Sequence, residues 1–194
     1  MSHKRILVWL ASVLVVGTVS VQGQVVPVRV ATWNIENFDG SSEQLFDAID
    51  VLDRVCADVV CVQEMHSTAA FNVLAGAAGY DYYILAHPFN DIAQDDDYAG
   101  VMSKYPFVYI PQGQPGYPGT GTLTAGELSG DPNALDITRN FVIATIDVPG
   151  VGPHLTVVGN HWKAGTDIAD EFRRSIESIR AMQCVDHLDA ASDP

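Results

Sequence analysis

Three apolar stretches of this 194-residue chain end in polar groups capable of chemistry. VRVATW runs into Asn34 and Glu36, DVVCV runs into Gln63 and Glu64, and LTVVG runs into Asn160, His161, Trp162 and Lys163. Taken alone, each ending is ordinary, because polar residues at strand exits commonly open turns. A lone histidine such as His161 is more often a hydrogen-bonded structural residue than a catalyst. Three such endings point to a site, since sheets carry functional groups at strand termini and in the loops that follow. A single carboxylate with neutral oxygen donors suits Mg2+, which keeps much of its hydration and takes one or two protein carboxylates. Histidine with a nearby cation, Arg139 or Lys163 here, suits a phosphate oxygen or the charge that develops in phosphoryl transfer.

The elements that must position these groups follow from periodicity. After the first strand, Ser41-Ser42-Glu43-Gln44 has the S-x-x-Q form of a capping box, and Leu45, Phe46, Ala48, Ile49, Leu52 and Val55 recur at helical spacing. The run ADVVCVQE predicts a buried strand. Residues 68–78 predict a second helix, stopped by Gly79. Strands are predicted at 80–86, 98–103, 107–110, 141–148 and 155–160, rich in aromatic and β-branched residues. Between Pro111 and Asp136 the composition turns to Gly, Pro, Thr and Asn, which predicts a surface loop near a site or a hairpin with a ragged tip. A closing helix spans Asp167–Leu188, with Ile168, Phe172, Ile176, Ile179 and Met182 on one apolar face. Strand-helix-strand-helix followed by antiparallel-looking strands predicts a mixed, layered α/β domain.

Composition narrows the class. Apolar residues make up 47% of the chain, enough for a sizeable core. Lys4 and Arg5 precede a 16-residue apolar run, and Val21-Gln22-Gly23 resembles a cleavage site. That layout predicts a signal peptide over residues 1–23, a mature chain of 24–194, and a secreted or periplasmic protein without stable membrane association. An uncleaved anchor is the alternative, but a spanning helix wants about 20 apolar residues. Net charge is −14, and removal of Lys4 and Arg5 leaves 8 − 24 = −16. This excludes a general polyanion-coating protein, whose affinity comes from Lys and Arg on phosphates. It leaves room for a metal-dependent phosphodiesterase, because a bound cation reverses the local field. Three cysteines, Cys56, Cys61 and Cys184, leave at least one unpaired, and no Cys/His zinc spacing occurs. The run Asp95-Asp96-Asp97 suits Ca2+ or, more often, a solvated acidic loop.

In order, ATWNIENF, DVVCVQEM, YAGVMSKYPF, ITRNFVIATI, VVGNHWKAG and a helix opening with Arg173 resemble the endonuclease/exonuclease/phosphatase superfamily. Its members include pancreatic-type DNases, base-excision endonucleases, sphingomyelinases and inositol phosphatases. The match runs from about Val28 onward, and NHWK, WNIEN and the signal peptide look most like the exported bacterial nucleases of this group. The resemblance implies a four-layer α/β sandwich of two packed, mostly antiparallel sheets. It implies Glu64 as the carboxylate for Mg2+ (or Mn2+), with Asn34 orienting it, His161 on the scissile phosphate and Arg139 near the substrate. Tyr98 and Ser103 would line the cleft, Lys163 would contact substrate, and a nucleic acid would be the partner. The alternatives are a phosphatase or sphingomyelinase-type hydrolase of the same fold, or a non-catalytic binding module.

One departure stands out. The family carries a GDFN-like motif after the helix that here ends near Leu188, and later an Asp-His pair. No GDxN occurs in this sequence, and Asp186-His187 lies on the helix itself. The sequence is therefore expected to be the N-terminal portion of a longer domain, cut before the last strands.

Overall fold

The computed structural model describes residues 27–86, 98–108, 120–123, 141–150, 154–162 and 165–192. The expected signal peptide, the acidic run 95–97, Arg139, Lys163 and most of 111–136 lie outside them. In chain order the elements are β1 (Val30–Phe38), α1 (Ser42–Val55), β2 (Val59–Met65), α2 (Thr68–Ala77), β3 (Tyr82–Leu85) and β4 (Tyr98–Ser103). They continue with β5 (Thr120–Leu123), β6 (Phe141–Ile146), β7 (Leu155–Gly159) and α3 (Ile168–Ser192).

Two sheets form. The first has the order β1-β2-β4-β3, with β1 parallel to β2 across the α1 crossover and the other pairs antiparallel. The second is β5-β6-β7, antiparallel throughout. β5 lies inside the Gly/Pro-rich stretch and pairs with β6; the remainder of that stretch, where a loop or a hairpin is expected, lies outside the described residues. Phe107 makes only an isolated bridge, to Ile146, at the start of the strand predicted for 107–110.

Alternation along the central strands explains the layering. In β2, Val60 and Val62 point to one face, where they pack with Leu52 of α1 and Phe71 and Leu74 of α2. Val59 and Cys61 point to the other, where they meet Val142, Ala144 and Ile146 of β6. On the far side of β6, Phe141 and Ile143 pack against Cys184 of α3. A strand buried on both faces is apolar at nearly every position, which is why VVCV and FVIATI read as near-continuous runs; Thr145, the exception, is hydrogen-bonded to Thr156 at 3.1 Å. The result is helices, sheet, sheet, helix: the four-layer α/β sandwich.

Close approach sets two glycines. A Cβ on Gly100 in β4 would lie 2.7 Å from the Phe71 ring, and one on Gly159 in β7 would lie 2.7 Å from Val142 Cγ1. Gly159 is the last residue of β7 and pairs with Val142, so the missing side chain lets β6 and β7 lie close just before Asn160 and His161.

The predicted apolar stripe of α3 faces mostly outward: Ile168, Phe172, Ile179 and Met182 are exposed and Ile176 is half-buried. The buried side of the helix instead presents Cys184 and the carboxylate residue Glu177.

Candidate active site

Two irregularities at one end of the first sheet build the site. Asn34 pairs with Gln63 and Phe38 with Met65, so Ile35, Glu36 and Asn37 stand opposite Glu64 alone. On the other flank, Val62 pairs with Gly100 and Met65 with Tyr98, which leaves Gln63 and Glu64 opposite Ala99. Both ladders are thus broken where the polar residues begin. Backbone conformation marks the same place. Among the described residues, four other than glycine have positive φ, and three of them are Glu36 (56°), Asn37 (56°) and Glu64 (63°). The fourth, Cys56, is the left-handed C-cap of α1. A residue other than glycine held there costs about 1–3 kcal/mol and persists only where its surroundings over-determine it.

Hydrogen bonds supply those surroundings. The Asn34 Nδ2 donates to Glu64 Oε1 at 2.7 Å, and the Asn37 amide donates to Glu64 Oε2 at 3.2 Å. Asn34 Oδ1 accepts from the Glu36 amide at 2.9 Å, an Asx turn that starts the bulge. Both carboxylate oxygens of Glu64 are therefore oriented, one by a side chain and one by the backbone.

The second sheet contributes from beyond β7. His161 Nε2 lies 3.4 Å from Glu64 Oε1, and its side chain is only 9% exposed against 19% for Glu64. The site thus spans the end of both sheets, with His161 and Glu64 shielded while Asn34, Glu36 and Asn37 are exposed at its rim.

The donor set fits a hard cation. Each Glu64 oxygen accepts one of these hydrogen bonds, at 2.7 and 3.2 Å, and retains lone-pair capacity. One oriented carboxylate with room for water is the ligand style of Mg2+. Among the described residues no group of three or more His, Cys, Asp and Glu side chains gathers into a metal cage.

A sequence profile of the Endonuclease/Exonuclease/phosphatase family matches residues 31–182. The chain belongs to this family. No curated protein sequence matches it. Among solved structures, a humanized D. rerio TDP2 with 14 mutations superposes at a TM-score of 0.50 and 18% identity, covering 79% of this chain and 56% of that one. SmcL gives a TM-score of 0.49 at 15% identity, covering 85% of this chain and 58% of that one. The chain therefore spans somewhat more than half the length of these two proteins. At 18% identity the likeness to TDP2 speaks for the fold alone. Members of the family are hydrolytic phosphoesterases that typically use divalent metals.

Of the residues that the family resemblance singled out, the structure gathers Asn34, Glu64 and His161 into one cluster. Tyr98 pairs with Met65 beside the cluster, but its side chain packs against the helix-side core. Ser103 is not at the site. It pairs with Val59 at the opposite end of β2 and is spent on a turn, donating to the Tyr105 carbonyl at 2.9 Å and accepting the Tyr105 amide at 3.0 Å. Its place in a strand that the resemblance puts along the cleft made it a candidate; antiparallel pairing sends it to the far edge. Arg139 and Lys163 lie outside the described residues.

Three participants were not legible as such. Asn37 carries no signal beyond following a strand end, yet its amide holds Glu64. His66 Nε2 lies 3.3 Å from Asn37 Oδ1, and nothing in EMH singles it out. Gln44 read as part of a capping box, but Ser41 makes no side-chain cap; its amide donates to Asp39 Oδ1 at 2.7 Å. The Gln44 side chain turns toward the bulge instead.

Proposed function

We propose that this protein hydrolyses phosphodiester bonds of DNA or RNA, with Mg2+ (or Mn2+) at Glu64, and that it works as an exported enzyme. The observation that carries this reading is the Glu64 carboxylate, fixed on both oxygens and faced by His161 across the two sheets. A bound Mg2+ supplies Lewis-acid polarisation of the phosphoryl group. Glu64 holds the cation, and Asn34 keeps that carboxylate in one orientation so that no reorganisation is needed as charge develops. His161 presents Nε2 from the opposite side, where it can donate a proton to a phosphate oxygen. Arg139 and Lys163, assigned by resemblance, add cationic contacts to the substrate. Their positive charge matters in a chain of net charge −14, which otherwise repels nucleic acid. The absence from the sequence of a long apolar β-hairpin favours nucleic acid over a lipid substrate.

The test is nicking of supercoiled plasmid by the purified chain. Mg2+-dependent nicking that is abolished by EDTA and by Glu64→Ala supports the proposal. Folded protein that leaves DNA and RNA intact while hydrolysing sphingomyelin or inositol phosphates would overturn the substrate assignment. Folded protein inert toward all of them would overturn the catalytic one for this chain.

A further inference from the structure

Glu64 is held partly by a backbone amide, and that amide belongs to a residue in a costly conformation. Asn37 sits at φ 56°, immediately after Glu36 at the same angle. In the ordinary extended region its N–H would swing away from Glu64 Oε2. Something must hold it, and β2 does not, because the ladder is interrupted between Asn34 and Phe38.

The His66 ring meets the Asn37 side chain at Oδ1, and the backbone on the C-terminal side of Asn37 is held from α1. The Gln44 Nε2 donates to the Asn37 carbonyl at 3.3 Å, and Gln44 Oε1 accepts the Asp39 amide at 2.9 Å. One side-chain amide thus supplies a donor and an acceptor to two backbone groups that flank Phe38, much as a neighbouring strand does. Gln44 itself stands on the first turn of a helix anchored in the core through Ala48 and Leu52. We propose that Gln44 is a positioning residue, which brackets the bulge so that the Asn37 amide stays on Glu64 and the carboxylate stays set for a divalent cation. This rests on the reading of Glu64 as the cation carboxylate.

The experiment uses the full chain with Mn2+ as probe, titrated by electron paramagnetic resonance, and backbone amide hydrogen exchange without metal. Gln44→Ala should weaken Mn2+ binding roughly tenfold, the low end for losing a partner that orients a metal ligand. It should speed exchange at Asn37 and Asp39 and leave the remaining α1 amides as protected as before. Gln44→Glu keeps the acceptor for Asp39 and loses the donor for Asn37, so exchange should quicken at Asn37 alone. If Gln44 merely supports the helix, Gln44→Ala lowers the melting temperature while Mn2+ affinity and exchange at Asn37 stay unchanged. That result overturns the bracket and leaves Glu64 as a ligand intact. Wild-type protein that binds no Mn2+ overturns both readings.

Discussion

Replacing Asn34 with alanine removes the shortest bond in the cluster, the 2.7 Å contact from Nδ2 to Glu64 Oε1. A hydrogen bond to a charged group contributes about 1.5–3 kcal/mol. Asn34 is exposed, so the low end applies, and about 1.4 kcal/mol corresponds to roughly a tenfold change in an equilibrium constant. The Asx turn from Asn34 Oδ1 to the Glu36 amide is lost as well, which loosens the bulge that carries Asn37. The consequence is read most cleanly through stabilisation by cation. At concentrations well above Kd, a tenfold weaker site lowers Mg2+-dependent stabilisation by about 1.4 kcal/mol. For a chain of this size that amounts to roughly 3–6 °C in the Mg2+-induced rise of Tm. The assay is a thermal melt of wild type and Asn34→Ala, each with and without saturating Mg2+. An undiminished Mg2+-induced shift in the variant would refute the claim that Asn34 orients the ligand carboxylate.

Further outcomes follow from burial and packing. Burial pushes the thiols of Cys61 and Cys184 up to about 12 and about 11, while Cys56 is exposed. At pH 8 a thiol reagent should therefore label one cysteine per native chain quickly and all three in denaturant; fast labelling of a second contradicts the packing between the sheets or under α3. Tyr80, whose hydroxyl donates to the buried Ala57 carbonyl, is likewise raised to about 12, first by burial and then by the nearby Asp58 charge. For these three groups the unfolded chain loses its protons first, from about pH 9 for the thiols and 10 for the tyrosine. Stability should hold up to about pH 9 and fall as pH rises toward 12; a denaturation midpoint that is flat over that window contradicts the assignment. Gly100→Ala would place a Cβ 2.7 Å from the Phe71 ring and should destabilise by about 1–3 kcal/mol in urea, whereas a neutral result means β4 and α2 pack more loosely than described.

Much of this was readable because burial leaves so little choice. VVCV is apolar throughout and FVIATI at every position but Thr145, and only a strand covered on both faces tolerates that, so the layered sandwich follows from β2 and β6. The strand ends carrying Asn34, Glu64 and His161 were visible for the complementary reason: polar residues where an apolar run stops. Side-chain direction was harder. Ser103 lies in a motif strand, yet its position relative to the site depends on β4 running antiparallel to β2. The outward stripe of α3 shows that periodicity identifies an apolar face without saying what it packs against. Gln44 shows a different limit. Its spacing from Ser41 is that of a capping box, and only the bulge in β1, which no residue pattern announces, draws the side chain away from the helix end.

The central claim is that Glu64 is the divalent-cation carboxylate of this family's site in the present chain. Isothermal titration of Mn2+ into wild type and Glu64→Gln tests it directly, since glutamine preserves the shape and removes the charge. Saturable binding by wild type, lost in a Glu64→Gln variant whose circular dichroism is unchanged, is the predicted result. Equal binding by the two proteins would contradict it.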